Sequence, residues 1–253
     1  MKKTIVYVVI FVTFFFASLI AGLPISWVLA QVSTPPGLEI TNPQGTLWKG
    51  RAANVRWQQQ NLGKLNWDFQ WSSLLMGKAE FDVRFGRGSD LNFKGQGFVG
   101  YGLLDGPYAE KLEVSMPVDK ALQQAQLPLP LGASGRLTLK VNQATYAAPW
   151  CKSGDATLTL TQARVQSPVG ELQLDKATAN LSCENSLLKA SGSQNSSQVS
   201  AEFSGELTPE QAYSAKAWFK PGAEFPQSMN EQLKWLGDPN PKGRYEFVHQ
   251  GKI

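Results

Sequence analysis

Apolar and polar residues alternate with a period of two along most of this chain. In Leu65-Asn-Trp67-Asp-Phe69-Gln-Trp71 every odd position is apolar and every even one polar, the pattern of a strand with one buried, aromatic face. Phe81-Asp-Val83-Arg-Phe85 repeats it, and Gly86-Arg-Gly88-Ser-Asp90 reads as a turn into Leu91-Asn-Phe93-Lys94. The same alternation recurs at 112–116, 135–141, 156–160, 171–174, 177–183, 199–203 and 213–219, and a last strand is expected at 245–248. The glycines at 95, 97, 100 and 102 are weak for a regular strand and predict a bend, bulges or a close backbone approach. Helical spacing predicts two short helices, at 117–126 until Pro128 and Pro130, and at 226–237 with Met229, Leu233 and Leu236 on one side. The fold class expected is all-β: one long, curved antiparallel β-sheet of roughly ten to fourteen strands, groove-like or partly rolled.

The period changes only at the start, where residues 5–23 (IVYVVIFVTFFFASLIAGL) carry no charge and no proline. A helix of that length reaches about 29 Å, close to the hydrocarbon thickness of a bilayer. Lys2 and Lys3 precede it, which keeps the N-terminus in the cytoplasm and sends the remainder across. A cleaved signal peptide is the competing reading, with Val28-Leu29-Ala30 before Gln31 as the cleavage site. The apolar run exceeds the usual h-region and holds Phe14, Phe15 and Phe16, which favours a retained transmembrane anchor. The expected division is a cytoplasmic tail at 1–4, the anchor at 5–23, a linker at 24–44 and a β domain at 45–253. Pro35-Pro36-Gly37 and Asn42-Pro43 break the linker, which has room for one short strand at 38–41.

The net charge of +4 falls away once Lys2 and Lys3 are set on the inner side, leaving 22 basic against 20 acidic residues in the exported part. Both signs are interleaved, so the footprint of a nucleic-acid binder is missing. Cys151 and Cys183 form an even pair in an oxidising compartment and are expected to be a structural disulfide. His249 is the single histidine and lies near the chain end, a poor base for a triad and too little for a zinc site. Ser186-Leu-Leu-Lys189 and Lys152-Ser-Gly154 imitate the motifs of serine acyl enzymes, but in the wrong order and in strand-like sequence. No catalytic residue, metal or cofactor is expected, and the chain is read as a non-enzyme. Most of the tryptophans are expected in the core. The sharper alternative is that Trp67, Phe69, Trp71, Phe81 and Phe85 face a partner or a lipid chain across a partly open sheet.

Several residues combine into a resemblance: the short basic start and apolar span, Gly45-Thr-Leu-Trp-Lys-Gly-Arg-Ala52, Trp67 and Trp71 with Leu75 and Gly77, and the two cysteines. Together, and over essentially the whole chain, they resemble type II secretion system protein N, a single-pass inner-membrane component of Gram-negative bacteria. The resemblance implies a periplasmic main domain, no catalysis, and an accessory scaffold or assembly role beside other type II secretion components. Periplasmic β-groove proteins that carry lipid are similar in outline and supply the alternative function. No binding residues follow from the resemblance.

Overall fold

The computed structural model describes residues 2–31, 35–125, 132–167 and 170–252, without the side chains of 2–6, 8, 9 and 17. Two helices lead the chain, α1 (Lys2–Ala21) and α2 (Ile25–Gln31). Among the described residues no helix is long and apolar enough to cross a membrane.

Among the described residues thirteen strands follow in one antiparallel sheet whose spatial order is the sequence order. They are β1 (Leu38–Gly45), β2 (Lys49–Trp57), β3 (Gln60–Phe69), β4 (Lys78–Arg87), β5 (Lys94–Gly102), β6 (Gly106–Pro117) and β7 (Gly132–Thr145). β8 (Ser153–Ser167), β9 (Gly170–Glu184), β10 (Leu187–Asn195), β11 (Val199–Leu207), β12 (Ala212–Pro221) and β13 (Tyr245–Lys252) complete it. β1 and β13 are the two edges, so the sheet is an open meander. At the usual strand spacing, twelve steps span roughly 58 Å along the sheet.

Little packs on this sheet. Helix α3 (Val118–Ala125) lies between β6 and β7, and a short α4 (Gln227–Asn230) runs into a 3-10 turn at Glu231–Leu236. A second 3-10 segment, Trp71–Met76, links β3 to β4. The molecule exposes 17056 Å² for a mass of 27.7 kDa, whereas a compact monomer of that mass exposes roughly 11,000 Å². Among the described residues no large side chain falls below 2 % exposure, and only Ala52, at 1 %, is buried that deeply. The architecture is a single layer with small local covers.

Several expectations are met at the level of elements. The sheet is long and antiparallel, its strand number falls within the expected range, and both expected helices form. The first helix occupies Val118–Ala125, while Gln126, Pro128 and Pro130 lie outside the described residues. Other details differ. The stretch read as a linker contains α2 and all of β1 but its last residue, and β1 continues past Thr41 through Pro43 to Gly45. Pro43 fits because β1 is an edge strand. Leu91–Phe93 lies between the strands rather than in one, and the glycine run forms the strand β5. The bulge expected there exists, between Gln96 and Phe98 against β6. A Cβ on Gly97 would sit 2.4 Å from Leu112 Cα, so the close backbone approach is real as well.

Candidate docking face

Directly opposed residues of antiparallel strands share a face, so the register identifies the two sides of the sheet. One row runs Leu139, Leu158, Ala179, Gly192, Phe203, Ala217 and Phe247 from β7 to β13. A parallel row runs Val141, Ala156, Leu181, Ala190, Gly205 and Ala215. Towards β2 the same side carries Leu65, Trp67 and Phe69 opposite Phe85, Val83 and Phe81. One face is therefore apolar across nearly the whole sheet. The other carries Thr157, Asn180, Ser191, Ser204 and Lys216 in register, with exposed ion pairs such as Lys49–Asp68 at 2.6 Å and Lys140–Glu113 at 3.5 Å.

Aromatic rings on neighbouring strands cover glycines directly opposite them. A Cβ on Gly50 would lie 2.4 Å from the Trp67 ring, one on Gly95 2.2 Å from Phe85, and one on Gly192 2.5 Å from Phe203. These are cross-strand pairs in the register, so each ring fills the space its partner glycine leaves. Trp67 also donates its indole N–H to the carbonyls of Thr46 and Leu47, at 3.3 and 3.1 Å. Phe69, 4 % exposed, sits at the centre of a ring cluster, 5.0 Å from each of Trp48, Trp71 and Phe81 between centroids.

The five aromatics singled out from the sequence thus divide. Trp67, Phe69, Phe81 and Phe85 belong to the apolar face, and within it Phe69 is buried by its neighbours and Trp67 and Phe85 are turned onto glycines. Trp71 lies past the end of β3, in the 3-10 segment, and is exposed.

A trough of about 560 Å³ opens on the same face, floored by Ala156, Ala190, Gly205 and Ala215 and bordered by Leu188, Leu207 and Tyr213. Its size falls within the range of small-ligand sites. Cys183 also lines it, bonded to Cys151 with 6.3 Å between Cα atoms. That bond fastens the segment before β8 to the end of β9. Ser186 reinforces the corner: its hydroxyl accepts from the backbone N–H groups of Trp150 and Cys151 and donates to the Cys151 carbonyl at 3.1 Å. Ser186 is buried in this role, while Lys189 reaches Glu206 at 3.8 Å. The apparent acyl-enzyme motif is a structural corner.

Chemistry-bearing groups converge in one other place, on the polar face beside the Trp71–Met76 segment. The Glu80 carboxylate accepts from the Ser73 hydroxyl at 2.8 Å and from the Tyr108 hydroxyl at 2.9 Å. Lys78 pairs with Glu110 at 2.7 Å and lies 4.7 Å over the Tyr108 ring. Burial, then the Glu80 carboxylate, push the Tyr108 phenol above its ordinary range, and the Glu110 hydrogen bond raises Lys78. This network pins the 3-10 segment. His249 lies on β13 with its ring 5.6 Å from Tyr213. Among the described residues no group of three His, Cys, Asp or Glu side chains could hold a metal ion.

Sequence reasoning missed two apolar turns, Leu74-Leu75-Met76 and Leu103-Leu104, both strongly exposed. The signal was available: bulky apolar pairs beside Gly77 and Gly106, where turns ordinarily place polar residues.

The family model for type II secretion system (T2SS), protein N matches residues 36–248. Type II secretion system protein N of Vibrio cholerae serotype O1 is 44 % identical over the full length of both chains, and that of Aeromonas hydrophila 32 % over the full length of both. The protein of the same name from Pectobacterium carotovorum is 27 % identical over 89 % of this chain and 88 % of its own. No solved structure matches the chain. The matched region contains the entire sheet apart from the end of β13, and the chain belongs to the type II secretion system protein N family.

Proposed function

We propose that this chain is an accessory component of type II secretion, held in the inner membrane by α1 with its sheet in the periplasm, and that it acts as a scaffold for other components. The observation that carries the proposal is the single-layer sheet with one continuous apolar face that its own helices leave largely uncovered. Exposed apolar surface on this scale marks a binding surface, and two free sheet edges add backbone groups that a partner strand can pair. The 20-residue α1 is about 30 Å long, enough to span a hydrocarbon core. A tether then raises the local concentration of the sheet beside its partners, so that weak contacts suffice.

Alkaline extraction and protease protection test the topology: the chain should stay with the membrane, and protease added to the periplasmic side should degrade the sheet. Release by alkali, or protection of the sheet, would overturn it. The scaffold role predicts that other secretion components co-purify with the chain from gently solubilised membranes. The 560 Å³ trough supports a second reading, a periplasmic carrier of lipid or another hydrophobic ligand. Native mass spectrometry with lipid extraction separates the two. Near-stoichiometric phospholipid favours the carrier; a lipid-free chain bound to secretion components favours the scaffold.

A further inference from the structure

The turns at one end of the sheet form an apolar tip next to the end of α1. The indole N–H of Trp48 donates to the Ile20 carbonyl at 2.8 Å, Leu47 N–H to the Leu23 carbonyl at 3.0 Å, and Pro24 bridges to Thr46. The β1–β2 turn is therefore at the level of the last turn of α1. Trp71 lies 4.9 Å from Trp48 between ring centroids and begins the 3-10 segment. Leu103 N–H donates to the Gly77 carbonyl at 3.1 Å, which joins the β5–β6 turn to that segment.

Exposure at this tip is unusual for such side chains: Trp71 56 %, Leu75 92 %, Met76 70 %, Leu103 81 % and Leu104 95 %. Residues 71–77 and 101–104 contain no charged side chain. The charges that follow them are turned to partners, Lys78 to Glu110 at 2.7 Å and Asp105 to Lys152 at 2.8 Å. Apolar and tryptophan side chains in front with paired charges behind is the arrangement that suits a membrane interface.

We infer that this tip is a second membrane contact: the Trp71–Met76 segment and the Leu103–Leu104 turn enter the outer interface of the same bilayer that holds α1. The inference rests on the reading of α1 as an anchor, because contact with the α1 terminus is what brings the tip to the bilayer. Contact of the tip with the bilayer, added to the anchor, fixes the orientation of the sheet against the membrane.

Both native cysteines are in the disulfide, so single cysteines can be introduced and spin-labelled in the full chain. The probes are Val12→Cys in α1, Leu75→Cys and Leu104→Cys at the tip, and Gln59→Cys in the β2–β3 turn at the opposite end of the strands. The labelled chains are placed in vesicles of phosphatidylethanolamine and phosphatidylglycerol without other proteins, and collisions with oxygen and with a water-soluble nickel complex are compared. The ratio of oxygen to nickel collisions should be several-fold higher at 75 and 104 than at 59, and highest at 12. A high ratio at 12 with 75 and 104 equal to 59 would leave the anchor standing and overturn the tip contact. A ratio at 12 no higher than at 59 would remove the anchor reading and the inference with it. Near-identical circular dichroism of the labelled chains confirms that the exposed substitutions leave the sheet folded.

Discussion

Gln194 sits on the apolar face between Ala177 of β9 and Ala201 of β11, 8 % exposed, with neither amide atom hydrogen-bonded. An unsatisfied buried amide costs about 1–3 kcal/mol, and Leu has nearly its volume. Gln194→Leu should raise stability by about 1 kcal/mol, read as a higher urea midpoint with unchanged slope in the detergent-solubilised chain. A fall would show that the amide has a partner. Tyr108 argues in the other direction, because its polar groups are satisfied. Its phenol is raised above the usual value near 10 in the folded chain. The folded state therefore holds that proton more tightly than the unfolded one, and stability is intact below about pH 10 and declines as pH rises beyond it. An absorbance titration of phenolate should lose its latest step in Tyr108→Phe. Loss of an early step instead would contradict the Glu80 contact.

At the scale of elements, glycine–aromatic pairs and the disulfide set the register. Gly95→Val would drive a side chain into Phe85, whose ring lies 2.2 Å from the position of an added Cβ. Overpacking of this kind costs about 1–3 kcal/mol, and a melting temperature equal to that of the unchanged chain would count against the register. Removing the disulfide as Cys151→Ser with Cys183→Ser opens a loop of sequence separation 32 and should cost about 3–4 kcal/mol, read as a lower urea midpoint. The strands that were readable are those whose apolar face is made of large residues, as in β3 and β4. β10 escaped notice because its inward positions, Leu188, Ala190, Gly192 and Gln194, carry little hydrophobic contrast. β9 looked like two strands because exposed Asp175 and Lys176 interrupt one long one. β5 was readable as a place of bulges and close approach but not as a strand, because Gly95 and Gly100 lie under rings of β4 and β6, which the local sequence does not reveal. Of the candidate site, the disulfide pair and the aromatic residues were legible from composition and alternation. Their division into ring-on-glycine packing, a buried cluster and an exposed tip depends on partners far away in the chain.

For the molecule as a whole, the single layer is the property from which the functional account follows. On the proposed reading, the face with Leu158, Leu181 and Phe203 in open rows takes a partner, and the proposed tether lets the sheet meet it at low intrinsic affinity. Photo-crosslinking in cells tests this most directly, with a photoreactive residue placed in the full chain at Leu181 on the apolar face or at the adjacent Asn180 on the polar face. The account predicts an adduct with another secretion component from position 181 and little or none from 180. Equal adducts from both positions, or adducts from 180 alone, would contradict the assignment of the apolar face as the docking surface.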